Sequence, residues 1–202
     1  MYFVKTPEIL KPLAKDLLWN KERTSDTIYL TFDDGPTPDI TERTLGLLEQ
    51  YQAKATFFCL GKNVESHPAI FDQIKRSGHA IGNHSYNHPD GWKTESFAYL
   101  RNVVRAQEWI ESSLYRPPYG HISPPQVQAI KKKFTIVMWD VISGDFDQDL
   151  TPDQCWEHVH HYAQAGSIVV FHDSVKAAPR MFHALENTLI HFGQRGFTFA
   201  SL

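Results

Sequence analysis

Short apolar runs alternate along the chain with stretches of helical periodicity. Thr27-Ile28-Tyr29-Leu30-Thr31-Phe32 is β-branched and aromatic, which predicts a buried strand stopped by Asp33-Asp34-Gly35-Pro36. Ala55 to Leu60 predicts a second strand, closed by Gly61, and Ala80-Ile81 a short third that leads into Gly82-Asn83-His84. Phe134 to Trp139, Ser167 to Phe171 and Phe197 to Phe199 read as further strands. Between them, apolar residues recur at helical spacing over 39–51, 68–76, 94–112, 124–133, 152–164 and 177–192. The second of these ends at Ser77-Gly78, a C-terminal glycine signal. Residues 1–25, with Pro7 and Pro12 limiting any helix, read as a lead-in packed on one domain over 26–202.

Strands alternating with helices imply an α/β fold whose mainly parallel sheet is covered on both faces. About seven such units favour a closed (β/α) barrel over an open doubly wound sheet, and no glycine-rich nucleotide fingerprint supports the latter. Functional groups in such folds collect at the C-terminal ends of strands. The pattern places Asp33, Asp34, His84, Arg116, Asp140 and His172 at such ends.

Composition narrows the picture only in places. A chain of 202 residues, 42% hydrophobic, is long enough for one good core. A net charge of -3 with no long basic run leaves no footprint for nucleic acid. No window is apolar enough to span a membrane. Glu8, Lys11, Lys15 and Asp16 interrupt the first apolar residues, so no secretory h-region is seen and a cytoplasmic location is expected. Cys59 and Cys155 have no metal or disulfide spacing and read as buried thiols.

Four stretches carry candidate chemistry. Successive strand residues point to opposite faces, so Asp33 and Asp34 are expected to do different jobs unless the turn twists them together. His84-Ser85-Tyr86-Asn87-His88 spaces two imidazoles four apart, and one helical turn would put them on one face. Two imidazoles and a carboxylate would complete a His₂Asp set with an open position, the usual make-up of a catalytic zinc site. In Arg116-Pro117-Pro118-Tyr119-Gly120 the prolines supply no N–H, so Tyr119 offers the first backbone donor. His172, ending an apolar run, suits general acid work near neutral pH.

These stretches, together with Trp139 to Phe146 and Val170-Phe171-His172-Asp173, occur in the order seen in polysaccharide deacetylases, carbohydrate esterase family 4, which the chain resembles from about residue 26. The resemblance implies a distorted (β/α) barrel and metal-dependent removal of acetyl groups from N-acetylglucosamine-containing poly- or oligosaccharides. By it, Asp34, His84 and His88 are the metal ligands and Asp33 the general base, held by Arg116. Tyr119 supplies the oxyanion donor, and His172 protonates the leaving amine with support from Asp145, for which Asp140 competes. Pro118, Phe146 and Val170 would wall the acetyl pocket, Phe146 standing where the family usually has Trp and Val170 where it often has Leu. The implied ion is Zn²⁺, with Co²⁺, Ni²⁺ or Mn²⁺ able to use the same donors. Deacetylation of O-acetyl esters, hydrolysis of a non-sugar amide and a catalytically silent glycan binder are the rival expectations.

Overall fold

A computed structural model describes residues 3–9 and 11–202. Nine strands are seen among them: β1 (Leu17–Leu18), β2 (Thr27–Asp33), β3 (Ala55–Cys59), β4 (Ala80–Asn83), β5 (Leu114–Tyr115), β6 (Thr135–Val137), β7 (Val141–Ile142), β8 (Ile168–His172) and β9 (Thr198–Phe199). All are paired in parallel, in the order β1-β6-β5-β4-β3-β2-β8-β7, with β9 beside the start of β2. The seven α-helices among the described residues are α1 (Ile40–Gln50), α2 (Gly61–Ser66), α3 (Pro68–Arg76), α4 (Ser96–Gln107), α5 (Pro124–Ile130), α6 (Pro152–Tyr162) and α7 (Ala178–Gln194).

The three central strands explain why the sheet forms where it does. β2, β3 and β8 are buried along almost their whole length, and Phe32 stacks between Phe57 and Phe171 at ring distances of 4.9 and 5.9 Å. Side chains wet on neither face need a layer of helices, and α1, α6 and α7 provide one through Leu45, Leu48, Val159, Leu185, Leu189 and Phe192. In register, Asp33 lies beside Phe58 on one side and His172 on the other. The C-terminal ends of β2 and β8 therefore deliver an acid and an imidazole side by side.

The barrel is distorted because its seam is not strand on strand. β1 pairs with β6, Lys5 bridges Val141 and Asn20 bridges Ser167 in antiparallel fashion, so residues 5–9 and 11–20 link β6 to the β7–β8 edge. The segment read as a lead-in thus supplies a strand and the closure. Asp140 fastens it: fully buried, it takes Lys5 and Lys11 at 2.7 Å each, Arg23 at 3.3 Å and the Ser167 hydroxyl at 2.6 Å.

That position corrects the expectation that Asp140 joins the site. Its N–H donates to the carbonyl of Ile168, the first residue of β8, whereas His172 is the last. β7 is only two residues long and follows β6 after three residues, so in the sequence the end of the β6 run passes for the top of a strand. The expected helical turn at 84–88 is also absent: Ser85 and His88 both have left-handed backbones, φ 69° and 63°. The two imidazoles converge through a loop.

Candidate active site and metal centre

A cleft of about 470 Å³ opens over the C-terminal ends of the strands, and Asp33, Asp34, His84, His88, Tyr119 and His172 all face it. Four of the non-glycine residues with positive φ lie at this rim: Asp34 (83°), Ser85, His88 and Tyr119 (60°). Such conformations are unfavourable by about 1–3 kcal/mol each and gather where a side chain must be aimed. At Asp34 the consequence is direct. Alternation would send Asp33 and Asp34 to opposite faces, but the left-handed turn swings both into one cleft, and the Asn63 side-chain amide holds the Asp34 carbonyl at 2.7 Å. Gly35 is obligatory here, since a Cβ would lie 2.1 Å from the buried Asp173 carboxylate, which instead accepts the Gly35 N–H at 3.1 Å.

Asp34 Oδ1 lies 3.4 Å from His88 Nε2 and 3.8 Å from His84 Nε2, and the three donor atoms fall within 4.8 Å of one another. A tetrahedral ion with bonds of about 2.0–2.2 Å sets neighbouring ligand atoms roughly 3.3–3.6 Å apart, so the set fits one cation. The tautomer fits too. His84 Nδ1–H donates to the Arg116 carbonyl at 2.8 Å, which turns the bare Nε2 lone pair toward Asp34. Burial, helped by the neighbouring His84, pushes His88 down to about 4, so it is neutral and able to ligate at pH 7. A second grouping, Glu157, His160 and His161, lies on the surface of α6 away from the cleft.

Arg116 is fully buried, and its guanidinium is spent entirely inside the protein. Nη1 donates to Asp33 Oδ1 at 2.7 Å and to Thr31 Oγ1 at 2.8 Å, Nη2 to the Met138 carbonyl, and the plane lies 4.1 Å over Phe58. Burial alone would raise the Asp33 carboxyl, but Arg116, then His84 and His172, outweigh it and hold the group below the ordinary carboxylate range. One oxygen of Asp33 is thereby fixed, and the acid is charged and aimed.

Asp145 settles the open choice of partner for His172. It is fully buried, and its two oxygens accept the His172 Nδ1–H at 2.7 Å and the His172 backbone N–H at 2.8 Å. Burial opposes charging of the ring, but Asp145 raises it to about 9. Phe146 meets the His172 ring edge-on at 5.1 Å. Across the cleft no acceptor among the described residues takes the Tyr119 N–H, in a turn closed by Gly120 N–H to the Pro117 carbonyl.

Of the three residues expected to wall the pocket, the structure places one at the cleft. Phe146 lines the cleft, but Val170, two residues inside β8, is buried beneath it and Pro118 turns inward. Strand residues rise about 3.3 Å each, so Val170 shares a face with His172 but sits a layer lower. Trp139, Ile142 and Pro117 line the cleft instead. Ile142 was missed because β7 has too few residues to show alternation.

Residues 20–137 match the sequence profile of the family described as Polysaccharide deacetylase. The chain belongs to this family. A peptidoglycan-N-acetylglucosamine deacetylase of Bacillus cereus is 35% identical over 154 residues, covering 73% of this chain and 56% of that protein. A second from the same strain is 30% identical over 191 residues, covering 91% and 90%. A chitooligosaccharide deacetylase of Azorhizobium caulinodans is 32% identical over 155 residues, 73% of each. Among solved structures, a peptidoglycan N-acetylglucosamine deacetylase in complex with 4-naphthalen-1-yl-N-oxidanyl-benzamide superposes with a TM-score of 0.89 at 29% identity, over 98% of this chain and 95% of that one. The distorted α/β barrel is thus the fold of the family.

Proposed function

We infer that the protein is a metal-dependent deacetylase that removes N-acetyl groups from N-acetylglucosamine units of a poly- or oligosaccharide. One observation carries this reading. Asp34, His84 and His88 converge on a point in the same cleft that holds a charged Asp33 and, beside it in register, an imidazolium-forming His172. The named activities of the family relatives support the substrate class.

Asp34, His84 and His88 would hold the cation, of which zinc suits the donors best. When bound it would supply a Lewis acid and lower the pKa of water to about 7. The remaining work belongs to the chain. Asp33, with one oxygen pinned by Arg116, takes the proton of the attacking water on the other. The Tyr119 N–H donates to the carbonyl oxygen as it becomes anionic, a contribution of about 10²–10³ in rate for such donors. His172, charged through Asp145, gives its proton to the departing nitrogen. Phe146, Trp139 and Ile142 enclose the acetyl methyl in an apolar wall.

Acetate release from chitooligosaccharides and peptidoglycan fragments, by protein stripped of metal and reloaded with Zn²⁺, Co²⁺, Ni²⁺ or Mn²⁺, tests the reading. Release dependent on metal is expected. Cleavage of acetyl esters alone would replace the N-deacetylase by an esterase, and tight glycan binding with no release under any metal would make the protein a silent binder.

A further inference from the structure

Beside the catalytic cleft stands an aromatic pair that the reaction above does not use. Trp92 and His121 are stacked, ring centres 3.7 Å apart and planes within 8°. Only one indole face is covered, for Trp92 remains 67% exposed. What sets Trp92 apart from the other exposed apolar side chains, such as Phe97, is that its indole is stacked and held in place. Its Nε1–H reaches the Ile122 carbonyl at 3.4 Å and its backbone N–H the Asp90 carboxylate at 3.0 Å. The same carboxylate oxygen takes His121 Nδ1–H at 2.9 Å, fixing the ring that backs the indole. Gly91 lets the two loops touch: a Cβ there would sit 2.2 Å from the His121 carbonyl oxygen, and the buried Gln126 amide donates to the Gly91 carbonyl at 2.9 Å.

The pair is continuous with the cleft. His88 meets Tyr119 at 4.5 Å, Tyr119 meets His121 at 5.8 Å, and His121 carries Trp92. A row of rings therefore leads from the metal ligands to the surface. The negative face of an indole attracts the axial C–H groups of a sugar whose hydroxyls are equatorial. β-Linked N-acetylglucosamine presents such faces on every residue.

We propose that Trp92, propped by His121 and Asp90, is a stacking subsite for a neighbouring sugar of the substrate chain, so that oligomers bind more tightly than a single sugar. This rests on the deacetylase reading for its ligand class, and the test keeps the two apart. β-1,4-linked N-acetylglucosamine oligomers of one to four units are titrated calorimetrically into the protein and into Trp92→Ala, Trp92→Leu and Trp92→Phe, with acetate release measured in parallel. Trp92→Leu keeps an apolar cover on His121 and removes the aromatic face, so it answers the question if Trp92→Ala folds poorly. Affinity for the tetramer should fall roughly three- to tenfold in Trp92→Ala and Trp92→Leu, with partial recovery in Trp92→Phe. The rise in KM should match, with kcat and the single-sugar reaction unchanged. Equal tetramer affinity in wild type and Trp92→Leu, or no tetramer binding at all, overturns the subsite. Tetramer binding that depends on Trp92 but yields no acetate would uphold the subsite and defeat only the deacetylase.

Discussion

The two acids at the end of β2 show how much one backbone angle decides. Asp33 stays in strand geometry and is gripped by a buried arginine, while Asp34, one residue later at φ 83°, is released toward two imidazoles. Their environments divide the labour. Asp33→Asn should therefore keep the metal, read by elemental analysis after dialysis, and lose about 10²–10⁴ in kcat; near-wild-type turnover would remove Asp33 from proton transfer. His172 invites a test by pH. Asp145 lifts its folded pKa to about 9, above the 6.5 of a free imidazole, so the ion pair stabilises fully below about 6.5 and is lost as pH rises through about 9. As a general acid, His172 must be protonated, and activity should decline over the same alkaline range. In Asp145→Asn that alkaline limb should move toward lower pH, and a bound cation, acting on both proteins alike, leaves the direction of the difference unchanged. An unmoved limb in kcat/KM would dissociate Asp145 from the acid.

Elements were legible where burial wrote a pattern long enough to read. β2, β3 and β8 are uninterrupted apolar runs, and α3 and α7 end within two residues of their predicted limits. β1, β5 and β7 have two residues each, too few for any period, and α2 follows β3 with no apolar stripe. The candidate site was legible through its motifs, while its geometry was not. Four-residue spacing cannot distinguish a helical turn from a loop with left-handed Ser85 and His88, because both bring the rings together. Histidine 79 marks the junction between α3 and β4, accepting the Ala55 N–H through Nδ1 at 3.2 Å and meeting the edge of Phe57. Burial, with Lys54 nearby, depresses it to about 4. The unfolded chain takes up its proton near 6.5, so stability should be lost as pH falls from about 6.5 to about 4. The urea midpoint of His79→Gln should depend less steeply on pH across that window, and identical slopes would place the acid sensitivity elsewhere.

For the molecule as a whole, the Asp140 cluster sits beside the first residue of β8 and His172 is the last, so stability and chemistry should separate by mutation at Asp140. Asp140 gathers Lys5, Lys11 and Arg23 around a carboxylate that burial would raise but these cations, with Ser167, keep below its usual range. Asp140→Asn leaves three cations facing a neutral amide in a partly dry pocket. Removing one partner of a buried pair is unfavourable by about 3 kcal/mol, and in a chain of this size that lowers Tm by roughly 6–12 °C. His172 is four residues along β8 from the Ile168 carbonyl that Asp140 uses, so kcat and metal content at 25 °C should match wild type. A fall in kcat at temperatures where the variant is fully folded would mean that the seam transmits strain to the cleft. An unchanged Tm would mean that β1 and the two antiparallel bridges hold the closure without the charge cluster.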